Sequence, residues 1–280
     1  MAPVPEAKNR QVLGIIAGKG IFPTLVAQGA KEAGFSVVMV GFTGNTEEST
    51  LREADKAVML PLGQLTKLIA FMHKNGAAAV CFAGAIKKPN ALNFRPDMLA
   101  MKAFFSLRGR GDDAVLRALA DILAKENLPV INPTRFAPAL LAPEGVRTKR
   151  NPTEEEWTDI RFALPIAKTV GKLDIGQLVV VKKGVIMAVE AIEGTDAALE
   201  RGGQLGGKGC VALKVFKPGQ DNRMDQPAMG PKTIRVLAKH GYTCLAYEAR
   251  NALFFDFEEA VHLADCAGIT IIGLRPEDAD

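Results

Sequence analysis

The sequence predicts an α/β first half built on a parallel sheet, followed by an α+β second half. Three observations carry this. Strand-like apolar runs alternate with helical stretches up to Asn132, the pattern of a parallel sheet covered on both faces. Pro133, Pro138, Pro143 and Gly145 then interrupt that alternation. Beyond Asn151 a hairpin signal and a mixed order of strands and helices take over. At 280 residues the chain is long for one core, so two domains are expected. We place them at 1–142 and 153–280, with a linker at 143–152.

Val12–Ala17 reads as the first strand and ends in Gly18-Lys19-Gly20. A helix follows from about Phe22 to Ala33 and stops at Gly34. Phe35–Gly41 and Ala57–Leu60 are further strands, Leu65–Lys74 is helical, and Ala78–Ala83 is a fourth apolar run. Helical stretches at Asp97–Leu107 and Asp112–Asn127 precede a short strand at Pro129–Asn132. Right-handed crossovers then favour a Rossmann-like layout. In the second half, Asn151-Pro152-Thr153 with Glu156 predicts a helix start with a capping box. Gln177–Val181 and Val185–Ala191 flank Lys182-Lys183-Gly184 and predict a hairpin. Val211–Phe216 and Thr270–Ile272 are strands, and Thr233–Lys239 and Phe257–Ala267 are helical.

Composition narrows the function classes. A net charge of +4 suits an anionic ligand or a membrane surface and is too small to argue for nucleic acid. Cys81, Cys210, Cys244 and Cys266 form no C-x-x-C pair and sit in apolar runs, so buried reduced thiols and a cytosolic setting are expected. No apolar run approaches a membrane span, and Met1–Gln11 is polar. The three histidines, His73, His240 and His262, are scattered, which disfavours zinc hydrolases. No G-x-S-x-G elbow is present.

Several motifs carry chemistry, each with a plainer reading beside it. Gly18-Lys19-Gly20 joins a strand to a helix, where backbone N–H groups can meet a phosphate; the plainer reading is a tight turn. The dinucleotide fingerprint is incomplete at Pro23, and Val40-Gly41-Phe42-Thr43 lacks the ribose carboxylate. Gly202 to Lys208 nearly matches a P-loop but fails at Gly209; we read it as a flexible glycine loop. Ala83 and Gly84, with Lys87 and Lys88 after them, follow the fourth strand. Ligands bind beyond such strand ends, though a solvated basic loop is the simpler account. Asp112 and Asp113 open a helix, as caps or as nucleotide contacts.

Lys217–Thr233 is the densest polar cluster and reads as a long loop. Loops of that length in compact domains are functional or disordered. It carries Asp221 and Asp225, which suit a hard ion such as Mg2+, and Arg223 and Lys232, which would offset charge on a diphosphate. Glu190 ends the hairpin, with Glu193 and Asp196 after it; Thr195 or Asp196 is equally a helix cap. The apolar helix around Met98, Leu99, Met101, Phe104, Phe105 and Leu107 and the patch Ala252–Phe255 suit acyl chains or a membrane, or simply the core.

Taken in order, four blocks and one further run resemble the UDP-2,3-diacylglucosamine pyrophosphatases of the LpxI type. The blocks are Leu13–Pro23, Phe82-Ala83-Gly84 with its lysines, Gly109-Arg110-Gly111-Asp112-Asp113 and Glu190–Asp196; the run, Gln220–Pro227, is the most specific match. The resemblance implies magnesium-dependent hydrolysis of UDP-2,3-diacylglucosamine to UMP and lipid X, with water attacking the sugar-side phosphorus between two domains. It implies an essential Asp225. Asp221 and Glu190 are the further catalytic candidates, with Asp225 and Asp221 expected on the metal. The expected substrate-binding set is Gly18, Lys19, Gly20, Ala83, Gly84, Lys87, Asp112, Asp113, Thr195, Lys214, Arg223, Lys232 and Thr233. The expected setting is the cytoplasmic face of the inner membrane, held peripherally, with a homo-oligomer left open. A nucleotide-dependent oxidoreductase and a non-catalytic nucleotide or lipid carrier are the alternatives.

Overall fold

The computed structural model describes residues 10–86, 95–106, 112–224 and 226–275, leaving out the side chains of 103–106 and 112–113. The chain divides into two compact units: Met1–Pro138 with Asp221–Asp225, and Ala139–Gln220 with Gln226–Asp280.

The first unit contains β1 (Val12–Ala17), α1 (Phe22–Glu32), β2 (Ser36–Phe42), α2 (Glu48–Leu51), β3 (Lys56–Leu60), α3 (Leu65–Lys74), β4 (Ala77–Ala83), α4 (Met98–Ser106) and α5 (Asp112–Lys125). The sheet order is β3-β2-β1-β4, all parallel, the order in which a doubly wound sheet begins. β1 and β2 are apolar nearly throughout and buried, as strands covered on both faces must be. α3 and α5 supply Leu65, Leu68, Ile69, Met72, Ala120 and Leu123 to one core.

The expected strand at Pro129–Asn132 is reduced to a single parallel bridge, Val80 to Val130. The Val80 N–H donates to Pro129 O at 3.0 Å and Val80 O accepts from Ile131 N at 2.9 Å. Pro129 has no N–H to continue the ladder, and Asn132 turns aside to cap a 3-10 helix, its Oδ1 accepting Thr134 N at 2.9 Å. That 3-10 helix, Pro133–Phe136, packs on α1 at Gly29, where an added Cβ would lie 1.7 Å from Phe136 O. Backbone cannot yield as a side chain can, so Gly29→Ala is expected to destabilise the first unit by about 3 kcal/mol. A thermal melt lowered by several degrees checks this; an unchanged melt would contradict it.

The second unit contains β5 (Gly145–Val146), α6 (Glu154–Lys172), β6 (Leu178–Lys182), β7 (Val185–Val189), α7 (Thr195–Gly206), β8 (Val211–Lys214), β9 (Ala228–Met229), α8 (Pro231–Lys239), β10 (Cys244–Glu248), β11 (Leu253–Phe254), α9 (Phe257–Ala267) and β12 (Thr270–Leu274). Its sheet runs β5-β12-β10-β8-β6-β7. The central β12, β10 and β8 are parallel; β6, β7 and β5 run antiparallel to their neighbours. Alternate residues serve two cores. Val179, Val181, Val211 and Leu213 meet α6; Leu178, Val180, Ala212 and Leu245 meet α7, α8 and α9. The capping box forms as expected, Thr153 Oγ1 accepting Glu156 N and Glu156 Oε2 accepting Thr153 N. So does the hairpin, its turn made by Lys183 and Gly184, both at positive φ.

Several expectations change here. The stretch 143–152 carries β5, paired with β12, and Arg150, whose guanidinium is bidentate to Glu156. Gly202 and Gly203 belong to helix α7, not to a flexible loop; an added Cβ on Gly203 would lie 2.4 Å from His240 Cβ. Only Gly207, at φ +66°, ends the helix. Of the patch Ala252–Phe255, Ala252, Leu253 and Phe254 are core residues, with Phe254 stacked edge-on against Tyr247 and Phe257, in keeping with the core reading of that patch. Cys81, Cys210 and Cys244 are buried, as expected, but Cys266 is exposed on α9. Burial pushes the Cys81 thiol up to about 12.

Candidate active site

In the second unit, three expected residues meet. Glu190 follows β7 and is 7% exposed. Its Oε1 accepts the Thr195 hydroxyl at 2.8 Å, and its Oε2 accepts Gln177 N–H at 3.2 Å. Lys214 ends β8, is 4% exposed, and its Nζ donates to Thr195 Oγ1 at 3.1 Å and to Ala228 O at 2.9 Å. Thr195 thus donates to the carboxylate and accepts from the ammonium, making one continuous polar chain. A lysine is buried only where its protons find acceptors. Its position follows from the fold: β8 belongs to the parallel part of the sheet, and Lys214 stands at that strand's carboxyl end, where ligands bind. The chain passes closely here, since an added Cβ on Gly176 would lie 2.0 Å from Glu190 O.

Two helix starts lie beside this chain of groups. Thr195 and Asp196 open α7; Lys232 and Thr233 lie in the first turn of α8. Asp196 pairs with Lys232 at 2.5 Å and holds that ammonium's pKa above its ordinary value. Thr233 is buried, whereas Lys232 is largely exposed. The first turn of α8 has no acidic residue, so its N–H groups and the nearby lysines favour an anion.

The stem of the polar loop is held from two sides. Glu248 accepts the Phe216 N–H at 2.5 Å, Lys168 donates to Phe216 O at 3.2 Å, and Lys168 and Glu248 pair with each other. Lys217 pairs with Asp174 at 2.8 Å, and Gln220 N donates to Lys217 O. Sequence reasoning misses Lys168 and Glu248. They are 80 residues apart and no local pattern joins them. After Gln220 the chain joins the first unit. Arg223 grips Asp221, with Nε on both carboxylate oxygens and Nη2 on Oδ2 at 2.5 Å, and its Nη1 reaches Val130 O at 3.4 Å. Met224 packs on the first unit's core. The Arg223 guanidinium holds the Asp221 carboxyl below its ordinary pKa.

Also in the first unit, Gly18 to Gly20 meets Ala83 to Ala85. Gly18 N donates to Ala83 O and Lys19 N to Ala85 O, both at 2.7 Å. An added Cβ on Gly18 would lie 2.5 Å from Gly84 O, and one on Gly84 2.6 Å from Lys19 O. Those two glycines are therefore required by each other's backbone, and the Gly18 and Lys19 amides are engaged within the protein. Lys19 and Gly20 stay exposed. Lys87, Asp225 and the side chains of Asp112 and Asp113 lie outside the described residues.

Magnesium takes oxygen ligands, often one or two carboxylates completed by substrate phosphate. Among the described residues no group of three or more His, Cys, Asp or Glu side chains gathers around one point. Asp221 has both oxygens on Arg223, and Glu190 has one on Thr195 and one on Gln177.

Residues 12–140 match the family model of the LpxI N-terminal domain and residues 143–272 that of the LpxI C-terminal domain. The chain belongs to the LpxI family. The two LpxI domains abut between residues 140 and 143, close to the break between the compact units. A relative from Caulobacter vibrioides, UDP-2,3-diacylglucosamine pyrophosphatase LpxI, is 32% identical over 277 residues, covering 95% of this chain and 98% of the relative. Two of the solved structures that this chain resembles overlap far less. The biotin carboxylase domain of a thermophilic 2-oxoglutarate carboxylase, bound to ADP, is 12% identical over 60% of this chain and 34% of that one, with a TM-score of 0.27. Phosphoribosylglycinamide synthetase from Anaerococcus prevotii is 15% identical over 66% and 40%, again at 0.27. The chain spans about a third to two-fifths of their length, and overlap at that level carries no argument.

Proposed function

We propose that this LpxI-family protein hydrolyses the diphosphate of UDP-2,3-diacylglucosamine, releasing UMP and 2,3-diacylglucosamine 1-phosphate (lipid X), with water attacking the sugar-side phosphorus. The observation that carries the reading is the nearly full-length match to the Caulobacter vibrioides pyrophosphatase across both family domains. The local chemistry supports it. A buried lysine, Lys214, and the α8 start, whose first turn has no acidic residue, are groups suited to a diphosphate. Lys214, Lys232 and Arg223 would offset charge as it grows on the phosphate oxygens. Glu190 holds Thr195 and, through it, the Lys214 ammonium in one orientation. In the first unit, the exposed Lys19 and Gly20, with Ala83, Gly84, Lys87, Asp112 and Asp113, form the nucleotide-holding side of the proposal. Asp225, on the loop anchored by Arg223, is the proposed essential carboxylate.

Magnesium belongs to this proposal, with Asp225 and the substrate's own phosphates as its ligands; when bound it neutralises negative charge on the diphosphate. Asp221 would join only by exchanging its hold on Arg223. Turnover is expected to vanish on chelation and return with added magnesium, read as UMP released from UDP-2,3-diacylglucosamine. Release that continues unchanged in chelator would remove the metal from the reading. A carrier would instead bind the substrate and release no UMP under either condition.

The diacyl substrate calls for a protein that works at a membrane surface, on the cytoplasmic face of the inner membrane. No described helix is long and apolar enough to cross a membrane. Leu173, Ile175 and Ile192 are exposed on the two loops that meet at Gly176 and Glu190, and Met98 is exposed on α4. Side chains of this kind support peripheral contact with lipid.

A further inference from the structure

Three side-chain polar atoms of the described residues are buried without a hydrogen-bond partner: Gln177 Oε1, Gln226 Oε1 and His240 Nε2. His240 packs on Gly203 of α7. The two glutamines stand elsewhere, each within two residues in sequence of a partner of Lys214: Leu178 in the strand register and Ala228 through its carbonyl. Gln177 immediately precedes β6, whose Leu178 is the register partner of Lys214, and its carbonyl accepts Val215 N at 2.9 Å. Its own N–H donates to Glu190 Oε2. Gln226 lies two residues before Ala228, the residue whose carbonyl accepts from Lys214 Nζ, and is fixed by Pro227 O, which accepts Leu253 N at 2.7 Å. Both backbones are therefore fixed close in sequence to partners of Lys214, and each side chain carries an acceptor that no described residue answers.

A buried acceptor with no donor costs about 1–3 kcal/mol, and such groups are rare in folded proteins. Local rules broken without structural gain mark functional positions. We propose that Gln177 and Gln226 are substrate-positioning residues, whose carboxamide oxygens accept hydrogen bonds from O–H or N–H groups of the glucosamine moiety. The inference rests on the pyrophosphatase reading and adds the part of the substrate that these residues recognise. Glucosamine adjoins the diphosphate, so a sugar held next to Lys214 brings its phosphate within the lysine's range. It offers hydroxyl groups and the acylated amine N–H, all donors.

The test uses Gln177→Met and Gln226→Met, which keep side-chain length and remove the orphan acceptor. Each variant is expected to raise KM for UDP-2,3-diacylglucosamine about tenfold with kcat nearly unchanged. Each should weaken inhibition by lipid X to the same degree while leaving inhibition by UMP unaltered. The thermal midpoint should hold or rise, because an unpaired buried oxygen has been removed. A purely structural role would lower the midpoint and leave KM and lipid X inhibition alone; that result overturns the proposal. Weakened UMP inhibition instead would place the glutamines on the nucleotide and also overturn it. Absence of UMP release by the wild-type protein would sink the pyrophosphatase reading itself, a separate outcome.

Discussion

Asp225→Ala is expected to retain UDP-2,3-diacylglucosamine and to lose hydrolysis by about a thousandfold or more in kcat, the scale on which a group stabilising only the transition state acts. The reason lies in the residues that precede that position in the loop. The loop is held independently of it: Glu248 and Lys168 fix both polar groups of Phe216, Lys217 pairs with Asp174, and Arg223 clamps Asp221 and reaches Val130. Removing one carboxylate removes chemistry and leaves the loop anchored. In the proposed reading, grip on the substrate would come from Lys214, the α8 start and the nucleotide side, none of which the substitution alters. Substrate retained by the purified variant, with UMP release abolished, is the expected pair of measurements. UMP release at the wild-type rate would refute the role given to Asp225.

Lys214→Met carries the next largest effect. Methionine fills the space of the lysine stem, so the unit should still fold. The Ala228 carbonyl loses a donor, at a cost of about 1–3 kcal/mol, seen as a modest drop in thermal midpoint. Activity should fall far more, by about a hundredfold or more in kcat/KM. The lysine is 4% exposed, so its charge would act in low dielectric, where its pull on a phosphate would be several times that of a solvated charge. Lys232 is the internal control. Its side chain is 82% exposed and paired with Asp196, so Lys232→Met should cost only a few-fold. Equal losses for the two variants would show that burial of Lys214 contributes nothing.

The fold was legible wherever a local rule decided it. β1, β4 and α9 follow from apolar runs bounded by glycine or strand-to-helix punctuation, and the hairpin from Lys183-Gly184 at positive φ. The capping box at Thr153 is a rule of spacing alone. β10, Cys244–Glu248, was not legible. Buried on both faces at the centre of its sheet, it shows no alternation, and a short apolar run of that kind reads equally as helix. The near P-loop at Gly202–Lys208 misled for a related reason. Its glycines answer to His240, Tyr242 and Val180 across a helix packing contact, and such contacts leave no periodic trace.

The candidate site divides in the same way. Residue types and the family resemblance pointed to Glu190, Thr195 and Lys214 separately, and the structure joins them through one hydroxyl. Gly18 and Gly84 were expected to face a ligand, whereas their first constraint is each other's backbone. Glu193, near the site in sequence, is taken by Arg201. Gln177 and Gln226 carry no motif chemistry, and only burial without a partner sets them apart.

The direct test of the proposed reaction is a single turnover of purified protein with UDP-2,3-diacylglucosamine and magnesium in 18O-labelled water. Attack at the sugar-side phosphorus predicts UMP free of label and lipid X carrying one 18O on its phosphate. Label in UMP would contradict the proposed direction of attack, and formation of neither product would contradict the reaction itself.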